Sequence, residues 1–324
     1  MTAFAKCRIS GPRAEVFLDN LVANRIPKKL GRVNLCHALT ENGGVRSEFT
    51  ILRNPDNSFY LVSAGAMESF DHDYIKKKMP SDGSVRYDHI TTKIGVLVVA
   101  GPKSRELMQR VSNADFSNQA FPWLSSQRID VGFADSIVAR VTFVGELGWE
   151  IHHPMEMQNH VFDTLMAAGA DLGIKPFGIR AMDSMRLEKS YRLVGTELSI
   201  EYSAYESGLQ RFVHPNKGDF IGRDGLSDWK DRGFDSQFVT LEVHDVTDAD
   251  ALGNNPIFLN DQIVGRATGG GYGFRVGKSL ALAMIRPDLA AVGTELEMDI
   301  LGTMYKVTVI EESPYDPDNQ HLRS

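Results

Sequence analysis

The feature that most constrains the fold is a glycine-rich run at residues 267–273, Ala-Thr-Gly-Gly-Gly-Tyr-Gly, in the last third of the chain. An apolar stretch follows at 279–285, and turn-forming residues flank the region at 260–261 and 286–288. Apolar runs of this length between turns favour β-strands. Glycines inside a strand pattern indicate a sharp bend or a close approach of two backbones. We therefore predict the corner of a small β-barrel.

The same region contains part of a phosphate-loop pattern, Gly277-Lys278-Ser279. The full pattern, G-x-x-x-x-G-K-[ST], needs a glycine where this chain has Tyr272. It also needs a helix directly afterwards, whereas the residues that follow favour a strand. We therefore reject nucleotide binding at this segment.

Composition is that of an ordinary globular protein with room for two domains: 324 residues, 42% of them hydrophobic and 24% charged. The formal net charge of -7 disfavours nucleic acid as a partner, because phosphate binding needs a basic surface. No apolar run approaches ~20 residues, so we expect no membrane contact by a spanning segment. Cys7 and Cys36 have neither metal-site nor disulfide spacing, which favours a reducing, cytoplasmic location.

Helix and strand patterns are mixed over residues 1–230 and give way to strands and turns beyond them. Apolar spacing predicts helices near 12–24, 67–78, 103–112, 155–168 and 177–191, with strands between them. The polar segment 228–235 is interpreted as a linker. Residues 237–311 predict a barrel of about six strands. The expected fold class is α+β, with a mixed α/β body at 1–230 and a β-barrel domain at 236–324.

Two carboxylates stand out. Glu48 follows Gly43-Gly44 at the start of an apolar strand, and is either an exposed edge carboxylate or an acid–base group. Glu150 ends the block Phe143-Val-Gly-Glu-Leu-Gly-Trp149-Glu150, and a carboxylate can accept two N–H donors from one edge of a flat heterocycle. The adjacent His152 and His153 point to opposite faces of a strand, so no metal site is predicted.

These blocks, the glycine-rich run and the closing Glu312-Ser-Pro-Tyr-Asp-Pro together resemble the folate-binding aminomethyltransferase family. That family includes the glycine cleavage T-protein and the C-terminal halves of dimethylglycine and sarcosine dehydrogenases. The resemblance extends from about Phe4 to Arg323 and is closer to the dehydrogenase branch. It implies a folate-binding body followed by a C-terminal β-barrel, with tetrahydrofolate as the cofactor. Family domains usually begin some tens of residues before the equivalent of Phe4.

The resemblance also implies roles for particular residues. Glu48 matches the catalytic acid, which is usually Asp in the family. Glu150 matches the glutamate that anchors the pterin ring, with Trp149 beside it, and Phe143 matches a tyrosine next to that ring. Five further folate-binding candidates come from the matching helix, channel and barrel blocks: Arg180, Arg186, Tyr202, Glu206 and Tyr272.

Some of these roles have a simpler alternative. From the residues alone, Arg186 and Lys189 would form a solvated basic helix face, and Glu188 would pair locally with Arg192. The T-proteins carry an arginine at the position of Met182 and a tyrosine at that of Leu35, so the contact to the folate tail differs here.

The implied function is tetrahydrofolate-dependent transfer of a methylene or methyl unit from a small N-methyl amine donor. Two alternatives stay open: a folate-dependent demethylase of an O- or S-methyl substrate, and a non-catalytic folate-binding module. No glycine fingerprint of a dinucleotide-binding domain is found, so a separate flavoprotein subunit is an expected partner for amine oxidation.

Overall fold

A computed structural model describes residues 1–246 and 248–324 of the chain. It contains two antiparallel sheets with helices on their outer faces, followed by a closed barrel. The α+β class predicted from the sequence is confirmed. Over the described ranges, the helices are all too short or too polar to cross a membrane.

The first sheet has five strands in the order β2-β3-β4-β1-β5. One face of the sheet packs on two helices, because alternate side chains such as Phe49 and Ile51 join a core with Leu18 and Ile75. The opposite face carries Glu48. The elements are β1 Ala5–Ser10, α1 Ala14–Leu21, β2 Val33–Leu39, β3 Val45–Arg53, β4 Phe59–Ser63, α2 Glu68–Lys78 and β5 Arg86–His89.

The second sheet has four strands in the order β6-β9-β8-β7. Its outer face packs on two helices through a core that includes Trp149, Ile151 and Leu107. The elements are β6 Ile94–Ala100, α3 Ser104–Val111, β7 Ser126–Val131, β8 Ala134–Ala139, β9 Gly148–Pro154 and α4 Gln158–Ala168. The bridge between Arg32 and Ser125 joins this unit to the first sheet.

The barrel closes in the order β10-β13-β12-β11-β14-β15, so the expectation of about six strands is confirmed. Its interior is filled by aliphatic side chains, among them Leu241, Ile257 and Met298. The remaining elements are α5 Ile179–Leu187, α6 Arg223–Arg232, β10 Gln237–Val243, β11 Pro256–Leu259, β12 Gln262–Gly273, β13 Lys278–Ile285, β14 Glu295–Ile300, β15 Thr303–Ile310 and α7 Gln320–Arg323.

The segment interpreted as a linker differs from that expectation. Residues 228–232 form the second half of α6, and its Leu226 is buried in a core cluster with Leu39 and Val45. The connection to the barrel is therefore short, at residues 233–236. Polar composition was misleading because the exposed side of an amphipathic helix is also polar.

The glycine-rich run lies in β12, where the strand passes directly beneath α5. A side chain at Gly271 would come within 3.1 Å of Leu187 on that helix. A side chain at Gly270 would come within 2.8 Å of the Ala251 Cβ atom and 2.9 Å of the Leu280 carbonyl oxygen. The close approach predicted from these glycines is present, and it allows the barrel to pack on the body.

This packing predicts that Gly270→Ala destabilises the protein by about 1–3 kcal/mol, the usual cost of overpacking a filled interior. Gly269→Ala is the matched control, because its new methyl group would be 3.6 Å from Arg186, an ordinary contact distance. Urea denaturation of both variants measures the free energy of unfolding. Equal stability of the two would contradict the close-packing interpretation.

Candidate functional site

The two sheets pack face to face, and the partly apolar region between their facing sides is called the cleft below. Leu52 and Tyr60 of the first sheet pack with Ala139 of the second. A hydrogen bond of 2.9 Å between the Tyr60 hydroxyl and Nδ1 of His152 crosses the cleft. Both side chains are buried, so this bond fixes the spacing of the sheets.

Glu150 lies on the cleft face of β9, next to Ala139 of the neighbouring strand. The residue is only 9% exposed, and its Oε2 lies 3.2 Å from Nε2 of His152. Within the described ranges, Oε1 makes no hydrogen bond to another side chain or to the backbone. The half-buried α-amino group of Met1 also feels this charge: burial lowers the pKa of the amine and Glu150 raises it. Glu150 therefore has one carboxylate oxygen held and one available as an acceptor.

The donor and acceptor roles among Tyr60, His152 and Glu150 follow from the protonation state of Tyr60. Burial raises the pKa of the Tyr60 hydroxyl well above its ordinary value of 10.0, and the charge of Glu150 raises it further. Tyr60 therefore stays protonated and donates to Nδ1 of His152. Nε2 then carries the imidazole proton and donates to Oε2 of Glu150, so both hydrogen-bond donors are used and Oε1 stays free.

Glu48 lies on the cleft face of β3, directly opposite His37 of β2. Oε2 of Glu48 is 2.9 Å from Nε2 of His37, and the histidine side chain is 1% exposed against 25% for the glutamate. The other oxygen, Oε1, has no hydrogen-bond partner in the part of the chain described. Each of the two cleft carboxylates is thus held by one histidine, on one oxygen.

Aromatic and charged groups lie together beyond the end of α5, around Tyr191. The rings of Phe143 and Tyr191 stack with their centroids 5.6 Å apart. Burial raises the pKa of Tyr191, the charges of Arg211 and Arg275 lower it and the charge of Asp316 raises it, so two cations and one anion lie near this stack. Flat aromatic faces, nearby positive charge and two partly free carboxylates are the groups that a flat, hydrogen-bonding heterocycle with an anionic tail requires.

Trp149 lies on the other side of the sheet from the cleft. It is 0% exposed, and its ring meets those of Phe116 and Phe121 edge to face. This follows from strand alternation, because a residue next to Glu150 must point to the opposite face. Trp149 supports the sheet from behind and does not line the cleft.

Arg186 and Tyr202 lie at the contact between the body and the barrel. Arg186 is 3% exposed and donates from Nε to Asp183 (2.7 Å) and from Nη1 to the Tyr191 carbonyl oxygen (2.9 Å). The expectation of a solvated face at Arg186 is therefore wrong. Tyr202 packs with Leu187 on the barrel side, and its hydroxyl accepts from Arg266 at 2.7 Å.

Glu206 is buried, and both of its oxygens are occupied. Oε2 accepts from the backbone N–H and the hydroxyl of Ser203, each at 2.8 Å. Oε1 accepts from the backbone N–H groups of Asp235 and Ser236 at 3.3 and 3.2 Å. This carboxylate therefore fastens the connection between body and barrel.

Arg180 and Tyr272 lie outside the cleft, at the surface near α5. Arg180 is exposed in the first turn of the helix. The Tyr272 side chain is 45% exposed, and its carbonyl oxygen accepts from the Ser184 hydroxyl at 2.6 Å. The structure thus places Glu48 and Glu150 on the facing sides of the two sheets, Phe143 beside Tyr191, and Trp149 behind the second sheet. The other predicted residues lie around α5 and the barrel contact.

The chain's closing segment docks on the end of α5. Glu188 accepts from the Arg275 side chain rather than from Arg192, which pairs with Glu312, so the expected local pair is wrong. Glu146 accepts from Arg275 at 2.9 Å and from the Tyr315 hydroxyl at 2.6 Å. A buried network of charges therefore supports the block that carries Phe143 and Glu150.

Several cleft residues were missed by the sequence analysis: His37, Tyr60, His152 as a hydrogen-bond partner, and Tyr191. The sequence carried no local signal for His37, because counting outwards from the Gly43-Gly44 turn would pair position 48 with 39, and a register shift at Ala38/Leu39 changes the pairing. Among the described residues, no group of three His, Cys, Asp or Glu side chains could hold a metal ion. A surface cleft of about 540 Å³, lined by Lys103, Arg105 and Ser324, lies apart from these residues.

Comparisons with known proteins cover nearly the whole chain. The model of the GCVT N-terminal domain matches residues 1–217, and that of the glycine cleavage T-protein C-terminal barrel domain matches 237–316. Human mitochondrial dimethylglycine dehydrogenase is 35% identical over 314 residues, which are 96% of this chain and 36% of the relative. The aminomethyltransferase of Thermoanaerobacter sp. (strain X514) is 28% identical, over 95% of this chain and 83% of the relative.

Among solved structures, aminomethyltransferase T of the glycine cleavage system from Bartonella henselae superposes with a TM-score of 0.87. The alignment covers 98% of this chain and 85% of that protein at 19% identity, so it shows a common fold. The chain spans a little over a third of the length of the dehydrogenase relative, which is 36% covered.

The protonated state of Tyr60 in the folded protein predicts that the free energy of unfolding depends on pH. In the unfolded chain Tyr60 loses its proton near pH 10, whereas the folded chain keeps it, so the free energy of unfolding falls as pH rises above about 10. Tyr60→Phe removes this contribution. We expect its free energy of unfolding, measured by urea denaturation, to fall less steeply between pH 10 and 11, by up to about 1.4 kcal/mol per pH unit. Parallel curves for the two proteins would show that Tyr60 titrates normally.

Proposed function

The chain belongs to the glycine cleavage T-protein family, and from that premise we propose that it transfers a one-carbon unit to tetrahydrofolate. The observation that carries the proposal is the pair of cleft carboxylates, Glu48 and Glu150. Each has one oxygen held by a buried histidine and the other free of hydrogen bonds to the described residues. Two partly satisfied carboxylates facing a cleft are costly for folding alone and are typical of ligand sites.

The residues fit the pterin ring of the folate. The ring offers an N–H and an amino group along one edge, and Glu150 presents a buried carboxylate that can accept from such donors. The Phe143–Tyr191 stack supplies a flat aromatic wall, and Arg211 supplies positive charge for an anionic tail. Glu150 is thus the proposed anchor, and burial strengthens its hydrogen bonds to the ring.

Tetrahydrofolate, when bound, supplies the nitrogen nucleophiles for the one-carbon unit. The proposed role of Glu48 is to take a proton from a reacting nitrogen or return one to it, for which its free Oε1 must lie within hydrogen-bond reach. The protein otherwise contributes orientation, because holding the folate and the one-carbon donor together replaces an encounter in solution.

The proposed donor is a small N-methyl amine, oxidised by a separate flavoprotein partner. The similarity to dimethylglycine dehydrogenase supports this choice, and so does the 29% identity, over the whole chain, to 4-methylaminobutanoate oxidase (formaldehyde-forming) of Paenarthrobacter nicotinovorans. An oxidised donor delivers a methylene unit and gives methylene-tetrahydrofolate, whereas an unoxidised donor would deliver an intact methyl group and give methyl-tetrahydrofolate, so the product distinguishes the two. The cytoplasm is the proposed location, consistent with two free, buried cysteines.

If Glu150 anchors the ring, Glu150→Ala should weaken tetrahydrofolate binding by about 2–4 kcal/mol, because a charge-assisted pair is lost. Anaerobic calorimetric titration measures the dissociation constant. Glu156→Ala is the matched control, since it removes one negative charge from an exposed position outside the cleft. An unchanged dissociation constant for Glu150→Ala would refute the anchor role.

If Glu48 moves the proton, Glu48→Gln should lower the rate of one-carbon transfer by about 10²–10⁴-fold while tetrahydrofolate still binds. The assay measures methylene-tetrahydrofolate formed above the background rate while a flavoprotein dehydrogenase oxidises dimethylglycine. Wild-type binding without any turnover, for every N-methyl amine tried, would instead favour the non-catalytic folate-binding module. Full turnover by Glu48→Gln would remove Glu48 from the mechanism.

A further inference from the structure

We propose that His37 is the positioning residue of Glu48: it fixes Oε2 as an acceptor and leaves Oε1 as the oxygen that handles the proton. The proposal rests on the function proposed above and adds a residue to it. His37 is a lone histidine in the sequence, with no motif around it, and only the strand register reveals its place.

The geometry of the pair is set by two adjacent strands. His37 and Glu48 are direct partners in the β2–β3 hairpin, so their side chains project from the same face. Nε2 and Oε2 are 2.9 Å apart, which is a normal hydrogen bond. The glutamate carboxylate therefore has one preferred orientation, whereas a half-exposed Glu without a partner would sample several.

The other side of the imidazole ring determines which nitrogen carries the proton. Nδ1 of His37 is buried and has no hydrogen-bond partner among the described residues. A proton on Nδ1 would leave a buried N–H donor unsatisfied, which costs more than an unused lone pair. The favoured state is therefore neutral, with the proton on Nε2, where it is donated to Glu48.

The ring cannot easily turn away from the carboxylate. His37 is 1% exposed, and the Phe212 ring packs against it with centroids 5.4 Å apart and planes tilted by 59°. Phe212 belongs to a short 3-10 turn whose neighbours Leu209 and Val213 are in the adjoining core. The histidine is thus held by packing, and Glu48 is held by the histidine.

A spectroscopic test needs neither substrate nor turnover. In protein labelled with 15N-histidine, long-range 1H–15N correlation identifies the protonated nitrogen of each ring, and His37→Gln assigns the His37 signals. We expect a neutral His37 ring protonated at Nε2, with a changed Nε2 shift in Glu48→Gln. A proton on Nδ1, or a doubly protonated ring at neutral pH, would overturn the proposal.

Transfer rates and dissociation constants of His37 variants then distinguish a positioning role from a purely structural one. His37→Leu removes the donor, and we expect at least ~10-fold slower transfer with less than ~3-fold change in the tetrahydrofolate dissociation constant. His37→Gln can still donate a hydrogen bond to Glu48 and should restore most of the rate. His153→Gln is the matched control, because His153 is equally buried but lies on the face of β9 away from the cleft.

A double variant distinguishes this inference from the proposed function. In the Glu48→Gln background, His37→Leu should lower the rate no further, because both changes act on one carboxylate. Independent, additive losses would overturn the positioning role. If wild-type protein binds tetrahydrofolate without any turnover, the proposed function fails. If Glu48→Gln alone leaves turnover intact, the role of Glu48 fails and the positioning role of His37 fails with it. If Glu48→Gln abolishes turnover and His37→Leu leaves it unchanged, only the role of His37 is wrong. If His37→Leu does not fold, the transfer rate of His37→Gln and the 15N spectra still test the positioning role of His37.

Discussion

The buried hydrogen-bonded chain Tyr60–His152–Glu150 is the interaction on which the rest of the site depends. It is a buried polar contact between the facing sheets, in an otherwise apolar region where an unpaired group would be costly. Because every member has a compatible protonation state, the chain can be buried without an unsatisfied donor. It also sets the cleft width that a flat ligand between the sheets would meet.

The barrel contributes support rather than reactive groups. Glu206 binds two backbone N–H groups of the connecting segment, and Arg275 reaches from the barrel to Glu188 and Glu146 on the body. These contacts are at least partly buried and charge-assisted, so removal of Arg275 would leave two carboxylates uncompensated. The turn that precedes Glu150 is therefore held from the barrel side, and the cleft depends on residues that never face it.

Local patterns predicted most of the fold. Strand alternation, the glycine run and turn residues are short-range signals, so the barrel and the Glu48 strand followed from them. Burial is decided by distant parts of the chain, which is why Arg186 and the helix at 223–232 differed from expectation. Trp149 was assigned to the same face as Glu150 although adjacent strand residues cannot share one. His37 was missed because a pair across a hairpin appears only when the register is known.

The two carboxylates differ in the sequence separation of the contacts that hold them in place. His37 and Glu48 are 11 positions apart within one hairpin, whereas Tyr60 and His152 are 92 apart. Closing a long loop costs more entropy than closing a short one, so contacts of low sequence separation tend to form first. We expect the proton-handling pair to assemble with its hairpin, early in folding. Glu150, the proposed ring anchor, gains its full set of contacts only when the two sheets dock. A slow or incomplete docking step would therefore leave a chain in which the Glu48 pair is formed but the proposed ligand site is not.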